Sequence, residues 1–225
     1  MSELVARDIS FGYRGCAPLL KDVSLTLYTG RSMVVIGRNG SGKTTLLRIL
    51  AGLLPPVNGQ VLADGQPIVA SSGRVGIVLQ NPDHQMIAST VEEEIALGLE
   101  LRGRDPGEMK PVVESLLERF GLQSLRLRPP EALSGGQKQR VALAAALAAK
   151  PDFLLFDEPD SFLDAPSRAE FMRSLDELRA ECGILWVTPR PLRMPAADEH
   201  LLLENGTLIE RDQEDFRLRM DGAAV

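Results

Sequence analysis

Residues 37–44 read GRNGSGKT and match the pattern G-x-x-x-x-G-K-[ST] of a phosphate-binding loop. The loop follows SMVVI (32–36), a continuous apolar run typical of a strand buried on both faces, and it precedes a helix predicted over 44–54. A strand, a glycine-rich loop and a helix in this order predict a cradle for a phosphate group, because the loop amides and the positive helix end point at one place.

The residue types in this loop agree with that interpretation. Gly40 and Gly42 allow backbone conformations that other residues resist. Lys43 has the reach to contact the outer phosphates of a nucleotide, and the hydroxyl of Thr44 is a suitable ligand for Mg²⁺. The loop residues that we expect to bind nucleotide are Arg38, Asn39, Gly40, Ser41, Gly42, Lys43, Thr44 and Thr45.

A second apolar strand ends in two acidic residues. The stretch FLLFDEP (153–159) places Asp157 directly after four apolar residues, and Glu158 follows. Since the carboxyl ends of parallel strands meet at one edge of a sheet, we expect Asp157 to lie near the cradle and to hold the hydration shell of Mg²⁺. Glu158 is then placed to orient a water molecule for attack on the terminal phosphate.

Predicted strands alternate with helices along the chain. Further strands are predicted at 23–27, 74–79, 184–187 and 201–210, and a helix near 166–180. This alternation predicts a mostly parallel sheet with helices on both faces. The turn-forming pairs Asn-Gly at 58–59 and Asp-Gly at 64–65 predict small antiparallel hairpins. The proline pair at 55–56 is expected to stop the helix that begins at 44.

The block from about 82 to 150 has no good strand and is predicted to be a helical insertion. Thr90 is expected to cap a helix in a capping box with Glu93, and Ser134 is expected to cap the helix over 135–149.

One helix start in this block stays open. Asp105 and Pro106 fit an N-cap and a first helical position, and Gly121 is expected to end this helix. Pro111 falls inside the same segment, so a start after Pro106 is the alternative.

The composition limits the classes of function. The net charge of −6 predicts solubility, and no basic cluster exceeds a few residues, so we expect no nucleic-acid partner. The longest apolar run, at 141–149, has about half of the roughly 20 residues that a membrane span needs, and the N-terminus lacks a signal-peptide stretch. Cys16 and Cys182 are expected to be reduced. The chain is therefore expected to be soluble and intracellular, with any membrane role supplied by a partner.

The stretch LSGGQKQR (133–140) has the form of the signature motif of ATP-binding cassette (ABC) ATPases. The order of motifs extends this resemblance over nearly the whole chain, since GRNGSGKT, a glutamine at position 80, LSGGQ, FLLFDE and LDAP follow one another as in that family. The resemblance implies an α/β fold with the mostly parallel sheet of a P-loop NTPase core, an antiparallel β subdomain and an inserted helical subdomain.

The resemblance also implies the domain organisation. We expect a single ABC ATPase domain over 1–225, in which about 1–81 and 151–225 form the core with the β subdomain. The helical signature subdomain is expected over about 82–150.

Single residues acquire roles from the same resemblance. Tyr13 resembles the aromatic residue that stacks on adenine, Gln80 the glutamine that senses Mg²⁺ and couples to the membrane partner, and Asp164 the aspartate that crosses the dimer interface. In this family the signature contacts the ATP of a second subunit, and here its residues are Ser134, Gly135, Gly136 and Gln137. The resemblance therefore implies ATP and Mg²⁺ as cofactors and a second ABC ATPase subunit, identical or homologous, as partner.

The chain departs from the family after the strand ILWVT (184–188). Cassette ATPases have there a histidine that contacts the terminal phosphate, whereas this chain has Pro189, followed by an irregular proline-containing segment. Two interpretations stay open. Either Glu158 supports slower hydrolysis, with Arg190 adding charge, or the chain binds ATP, hydrolyses little and is paired with a different, active subunit. Asp160 stands where the family usually has Thr and adds negative charge near Glu158.

Residues 80–100 (QNPDHQMIASTVEEEIALGLE) resemble the corresponding stretch of energy-coupling-factor ATPases, which drive uptake of vitamins and of cobalt or nickel ions. In that subgroup the stretch faces an integral membrane coupling subunit. The resemblance thus implies a cytoplasmic protein, peripheral on the inner face of the cell membrane. His84 is expected to be an interface or solvated residue rather than a metal ligand. The C-terminal extension of many subgroup members is expected to be absent.

Two other classes stay open. Cassette proteins that act on DNA or ribosomes usually carry two cassettes or long coiled-coil insertions, and neither is present in the sequence. An ATP-binding regulatory subunit without enzymatic activity is the other class, because Pro189 weakens the catalytic site.

Overall fold

The structure is a computed structural model that describes residues 1–189 and 197–211. Ten strands and five α-helices lie in this part of the chain. The strands are β1 (Glu3–Phe11), β2 (Leu20–Tyr28), β3 (Ser32–Ile36), β4 (Asn58–Ala63), β5 (Gln66–Pro67), β6 (Val75–Val78), β7 (Phe153–Asp157), β8 (Gly183–Thr188), β9 (Glu199–Glu204) and β10 (Thr207–Glu210). The helices are α1 (Lys43–Leu50), α2 (Val91–Glu100), α3 (Pro106–Arg119), α4 (Gly135–Ala148) and α5 (Ala165–Leu178).

Six of these strands form the main sheet, in the order β10-β9-β3-β8-β7-β6. Neighbouring strands from β9 to β6 are parallel, whereas β10 is antiparallel to β9 and follows it through a turn at Asn205 and Gly206. The prediction of a mostly parallel sheet is confirmed. Because β3, β7 and β8 run in the same direction, their carboxyl ends meet at one edge, where the glycine-rich loop and the two acidic residues begin.

The main sheet separates two apolar cores. Along β3, Met33 and Val35 pack into the core that contains α1 and the antiparallel strands, whereas Val34 and Ile36 pack into the core that contains α2 to α5. A strand buried on both faces is apolar at successive positions, which explains the continuous apolar sequence of β3. Within the described ranges, no helix has the length and apolar character needed to cross a bilayer.

A second, antiparallel sheet has the strand order β2-β1-β4-β5, as expected for the fold class. The turn predicted at 64–65 joins β4 to β5 and is confirmed. The turn predicted at 58–59 is wrong, because both residues lie inside β4. Gly59 has a φ of 86°, and a Cβ there would lie 2.3 Å from the carbonyl oxygen of Arg7 on β1. This glycine therefore allows close strand contact where the register between β1 and β4 is irregular.

The chain between β6 and β7 forms α2, α3 and α4, and residues 79–152 contain no strand. The helical character predicted for this block is confirmed, while its division from the core as a subdomain stays a prediction. Small side chains let α4 pack closely, since Ala142 and Ala144 are buried in the core shared with α2, α3 and α5.

Helix α1 ends at Leu50, earlier than predicted. The proline pair at 55–56 is not what stops it. Gly52 takes a left-handed conformation with a φ of 71°, and the N–H of Leu53 turns back to donate to the carbonyl of Arg48 at 2.9 Å. A left-handed glycine just past the last turn satisfies the terminal carbonyls and ends the helix.

The start of α2 confirms one part of the predicted capping box and corrects the other. The side chain of Thr90 accepts from the N–H of Glu93, which confirms the cap. The carboxylate that turns back to the preceding residues is that of Glu94, which accepts from the amides of Ile87 and Ala88. The glutamate at 93 had been expected in that role.

Helix α3 begins at Pro106 and continues through its internal proline, so the predicted start is confirmed and the alternative later start is wrong. Asp105 caps the helix by accepting from the N–H of Gly107, and a proline at the first position needs no amide partner. Gly121, with a φ of 61°, follows the last turn as predicted.

Candidate functional site

The glycine-rich loop forms a tight cradle between β3 and α1. Gly40 and Gly42 both have positive φ, of 79° and 104°. A Cβ on Gly37 would lie 2.5 Å from the hydroxyl oxygen of Ser41 and 2.7 Å from the carbonyl of Leu203, so only glycine fits there. The hydroxyl oxygen of Ser41 is buried and has no hydrogen-bond partner among the described residues. A cradle of this shape, with an unmatched polar atom, suits an anionic ligand.

Lys43 lies buried at the start of α1. Its Nζ donates to the carbonyls of Gly37 at 2.9 Å and Arg38 at 3.1 Å, so the ammonium group is held across the loop. Burial lowers the pKa of Lys43, and the nearby charges of Glu158 and Asp157 act in the opposite direction. The side chain is thus a fixed, poorly hydrated cation at the cradle, which favours a ligand with negative charge.

Asp157 ends β7 beside the same cradle, buried to 5% exposure. Burial raises the pKa of Asp157, while the hydrogen bond from Thr44 and the charges of Lys43 and Arg48 lower it. Thr44 and Asp157 are therefore in contact, and both offer oxygen atoms, the donor type that Mg²⁺ prefers. These two residues fit a magnesium ion held together with nucleotide phosphates.

Glu158 follows Asp157 in a left-handed conformation, with a φ of 44°. For a residue with a Cβ this conformation costs about 1–2 kcal/mol. The backbone N–H of Glu158 donates to the carbonyl of Val187 on β8, and Ser161 donates its hydroxyl to Oε2 of the glutamate at 3.3 Å. The surroundings therefore hold a strained residue at the strand end, which is common where a side chain is aimed for function.

A cleft of about 720 Å³ unites residues from five separate stretches of the sequence. Its lining consists of Tyr13, Leu19, Asn39, Gly40, Gly42, Lys43, Thr44, Thr45, Gln80, Glu158 and Pro189. The volume lies within the range of ligand pockets, about 300–1,000 Å³. The cleft thus brings together most of the residues predicted to contact adenine, phosphates, metal and water, although Asp157, Arg38 and Ser41 are not among the lining residues. Pro189 lies in the same cleft as Glu158, in the place where the resemblance implies a histidine.

Tyr13 lines this cleft and is half-exposed. Its ring packs edge-on against Phe11, with 5.0 Å between centroids, and its hydroxyl lies 3.2 Å from the hydroxyl of Thr45. The half-exposed ring is accessible to another planar group. Arg38 and Ser41 do not line this cleft but face a neighbouring depression of about 550 Å³.

The signature residues lie apart from the cleft. Ser134 caps α4 in a complete capping box, accepting from the N–H of Gln137 while the Gln137 side chain accepts from the N–H of Ser134. A Cβ on Gly136 would lie 2.7 Å from the hydroxyl of Ser167, which fixes this helix end against α5. Ser134, Gly136 and Gln137 line a separate depression of about 110 Å³. Within one chain, the signature and the cradle therefore line two different depressions.

Asp164 caps α5 by accepting from the N–H of Ser167 at 2.9 Å. This bond and that of the Ser167 hydroxyl lower the pKa of Asp164. The sequence analysis missed the ion pair of Asp160. This residue is buried to 3% exposure, and its Oδ2 lies 3.4 Å from Nε of Arg168. An arginine four residues after the cap would have been the only signal in the sequence.

The remaining predictions concern Arg190 with the segments after it, metal binding and His84. Arg190, the prolines that follow it and the charged C-terminal tail lie outside the described residues. In the described ranges no group of three or more His, Cys, Asp or Glu side chains could hold a metal ion by itself. His84 is exposed, and its Nε2 lies 3.5 Å from the amide nitrogen of Asn81.

The chain is similar to known proteins over most of its length. The family model described as ABC transporter matches residues 20–161. A relative named energy-coupling factor transporter ATP-binding protein EcfA1, from Thermotoga maritima, is 42% identical over 228 residues, covering 96% of this chain and 87% of the relative. A protein of the same name from Symbiobacterium thermophilum is 39% identical over 219 residues, covering 90% and 76%.

A solved structure is similar over nearly the full length. It is that of cbiO1 from Clostridium perfringens, described as part of the ABC transporter complex cbiONQ. The TM-score is 0.81 at 29% identity, and the match covers 97% of this chain and 92% of that chain. The α/β fold with a mostly parallel sheet is therefore shared with a known cassette ATPase.

Proposed function

Because the chain belongs to the ABC transporter family, we propose that it is the ATP-binding and ATP-hydrolysing subunit of a membrane importer of the energy-coupling-factor type. The observation that carries this proposal is the cleft that joins Tyr13, the glycine-rich cradle, Gln80 and Glu158. ATP is the substrate, and its hydrolysis powers transport by a partner.

Each part of the cleft has a task in binding ATP. The adenine stacks on the exposed ring of Tyr13, and the phosphates rest on the amides of the cradle, where they replace the carbonyls as partners of Lys43. The residues suited to hold Mg²⁺ are Thr44, Gln80 and Asp157, and the ion when bound neutralises phosphate charge. Glu158 orients the attacking water molecule and accepts its proton.

A second cassette completes the site. The signature of one chain opens to solvent at the N-terminus of α4, away from its own cleft, so it is free to meet the terminal phosphate held by another chain. Asp164 lies at the neighbouring helix start, where it would reach the same interface. The partner is an identical or a homologous ABC ATPase, and closure of the two chains around ATP is the step that drives transport.

The position of Pro189 bears on the rate. A proline beside Glu158 supplies no donor to the terminal phosphate, so we infer slow hydrolysis supported by Lys43, Gln80, Asp157 and Glu158. The same observation favours a second candidate function, in which the chain binds ATP but hydrolyses little and a different subunit provides the active site. Phosphate release by the isolated chain, compared with Glu158→Gln, separates the two candidates.

The transport partner follows from the segment that begins at Gln80. The curated relatives named above are subunits of energy-coupling factor transporters, and 80–100 carries the resemblance to them. We propose that this segment docks on an integral membrane coupling subunit and places the chain on the inner face of the cell membrane. A vitamin or a cobalt or nickel ion is the proposed solute class.

Gentle solubilisation of native membranes tests the transport role. We expect the chain to co-purify in a fixed ratio with an integral membrane protein that stimulates its phosphate release. Retention on DNA or ribosomes at moderate salt, with no membrane protein, would instead favour a cassette that acts on nucleic-acid assemblies.

A further inference from the structure

A depression of about 110 Å³ lies between the facing sides of α4 and α5. Beyond the signature, its lining has the same spacing on both helices, with residues 139, 140 and 143 on α4 and 170, 171 and 174 on α5. Positions i and i+4 share one face of a helix, so each helix turns one side toward the depression. The facing sides of packed helices are usually apolar, whereas Gln139, Arg140, Glu170 and Ser174 are polar. This inter-helix depression therefore differs from an ordinary helix contact.

Gln139 is buried at the inter-helix depression with an unmatched amide nitrogen. The residue is 2% exposed, and its Nε2 makes no hydrogen bond with any described residue. Burying an amide without a partner is unfavourable, and nearly all buried polar groups in proteins contact a protein group, a water molecule or a ligand. The unmatched nitrogen of Gln139 therefore indicates a binding partner that does not belong to the described chain.

Arg140 contributes a second unmatched nitrogen at the same place. Its Nη1 donates to Oε1 of Glu170 at 2.7 Å, which joins α4 to α5. Its Nε is buried and makes no hydrogen bond in the part of the chain that the structure describes. Glu170 is the one acidic residue of the lining, and the ion pair with Arg140 balances its charge. The lining thus contains a guanidinium group with a spare donor beside a carboxylate that is already neutralised.

The unmatched groups determine which ligand the depression suits. The Nε2 of Gln139 and the Nε of Arg140 can only donate hydrogen bonds. Both helices also begin at this end of the depression, and the amino end of a helix carries a partial positive charge. A ligand with acceptors and negative charge is therefore preferred over a cation or an apolar molecule. The volume of about 110 Å³ exceeds that of three water molecules, at about 30 Å³ each, so a small oxyanion fits.

We propose that the inter-helix depression is an oxyanion site separate from the cradle, and that its ligand is inorganic phosphate. The choice of phosphate rests on the proposed function, since ATP hydrolysis releases this ion where a signature meets the terminal phosphate. Gln139 and Arg140 donate hydrogen bonds to the anion, and Glu170 holds the guanidinium group in place. Ser134 and Gly136 present the end of α4 to another chain, whereas Gln139 and Arg140 lie on the side of α4 that faces α5 of the same chain.

Phosphate in this depression should stabilise the packing of α4 against α5. The anion binds residues of α4 that lie over α5, so the site exists only while the two helices are packed. A ligand that binds the folded chain and not the unfolded chain raises the free energy of unfolding. We therefore expect phosphate to stabilise the chain even when the cradle cannot bind it.

Nuclear magnetic resonance of the full chain separates the two anion sites, because each site has its own signals. Potassium phosphate is titrated at constant ionic strength, with potassium chloride as the balancing salt. The side-chain amide of Gln139 reports on the depression, and the backbone amides of Gly40 and Gly42 report on the cradle. We expect the Gln139 signals to shift and to saturate at millimolar phosphate. No saturable shift at Gln139, or an equal shift with chloride alone, overturns the proposal.

A variant that removes one donor tests how the anion is held. In Gln139→Leu, the affinity for phosphate, followed through the Nε–H signal of Arg140, should fall about tenfold or more, because a hydrogen bond to a charged group is lost. The cradle amides should keep the wild-type affinity. Gln123→Leu makes the same change at an exposed glutamine and is the matched control. Unaltered affinity in Gln139→Leu overturns the site.

A second variant keeps the test available if Gln139→Leu does not fold. Ser174→Asp adds a negative charge at the far end of the depression, so repulsion should weaken phosphate binding there about fivefold or more. Ser124→Asp makes the same change at an exposed serine away from the depression, and its affinity should equal that of the wild type. A folded Ser174→Asp with wild-type affinity contradicts the proposal.

Thermal unfolding gives a readout that needs no nucleotide. In Lys43→Glu, whose cradle no longer attracts anions, phosphate should still raise the melting temperature above that in potassium chloride of equal ionic strength. Adding Gln139→Leu to this variant should remove the rise. Stabilisation of the wild type but not of Lys43→Glu would assign all phosphate binding to the cradle and overturn the proposal.

The two proposals fail in different ways. A chain that binds no ATP but shows the response at Gln139 would refute the proposed function and leave the oxyanion site in place. A chain that binds ATP at the cradle and shows no response at Gln139 would refute only the oxyanion site.

Discussion

The backbone N–H of Glu158 donates to the carbonyl oxygen of Val187 at 3.1 Å, which ties the ends of β7 and β8 together. Two residues after Val187 comes Pro189, and both Glu158 and Pro189 line the same cleft. Glu158, the proposed general base, and position 189, where the resemblance implies a histidine, are therefore held in a fixed relation by the main chain. A side chain introduced at 189 would enter a site whose other parts are already in place.

Introducing the missing histidine should raise activity. In Pro189→His, phosphate release at saturating Mg²⁺–ATP should increase about tenfold or more, because an imidazole adds a donor to the terminal phosphate and the attacking water. Pro189→Ala, which removes the ring without adding a donor, is the matched control. The gain should vanish when Glu158→Gln is added. Equal rates in Pro189→His and Pro189→Ala would contradict this account of the site.

Reversing the charge in the cradle should abolish tight nucleotide binding. Lys43→Glu replaces the buried cation with an anion beside Asp157, so affinity for a fluorescent ATP analogue should fall about 100-fold or more. Lys110→Glu makes the same charge change at an exposed site on α3 and should leave affinity unaltered. Undiminished affinity in a folded Lys43→Glu would remove the cradle from the binding site.

The aromatic ring at position 13 should contribute by stacking. Tyr13→Ala should weaken ATP binding about tenfold, since stacking of a base on an aromatic ring is worth about 1–3 kcal/mol. Tyr13→Phe keeps the ring and loses only the contact with Thr45, so its affinity should stay within about twofold of the wild type. Titration of the three proteins with the fluorescent analogue separates these outcomes. If Tyr13→Phe is as weak as Tyr13→Ala, the hydroxyl rather than the ring is responsible.

The two cysteines should differ in reactivity. Burial raises the pKa of the Cys182 thiol to about 12, so at pH 8 only about one molecule in ten thousand carries the reactive thiolate there. Cys16 is exposed. A colorimetric thiol reagent at pH 8 should therefore count one thiol in the native chain and two after denaturation. Two thiols reacting rapidly in the native wild-type chain would contradict the burial of Cys182. So would one thiol reacting rapidly in the native Cys16→Ser variant.

The sequence was informative where the fold depends on local pattern. The continuous apolar runs predicted strands buried on both faces, and β3 and β7 have the predicted bounds, because burial on two faces leaves no place for polar residues. The end of α1 and the position of Gly59 were missed. Gly59 depends on a close contact with the distant strand β1, whereas α1 ends in a local left-handed turn at Gly52. Neither was predictable, because a glycine permits a turn, a helix end or a close strand contact equally well.

The candidate site was predictable to the extent that its motifs are contiguous. The cradle lies within eight residues, and Asp157 with Glu158 marks the end of one strand. Beside Gln80, the Gln85 side chain accepts from the N–H of Leu79 and donates to the carbonyl of Ile77. These bonds were not predictable, because only the strand order shows that β6 is an edge strand. The ion pair between Asp160 and Arg168 likewise depends on how a loop folds back on a helix.

The capping box at Ser134 leaves the hydrogen of its hydroxyl group available as a donor. In the cap its hydroxyl oxygen uses a lone pair to accept from the Gln137 amide, so the hydroxyl hydrogen is not consumed. An oxyanion arriving at this end of α4 would find that hydrogen available without any bond of the cap having to break. The helix end is thus stabilised on its own and keeps a donor in reserve for whatever approaches it from outside.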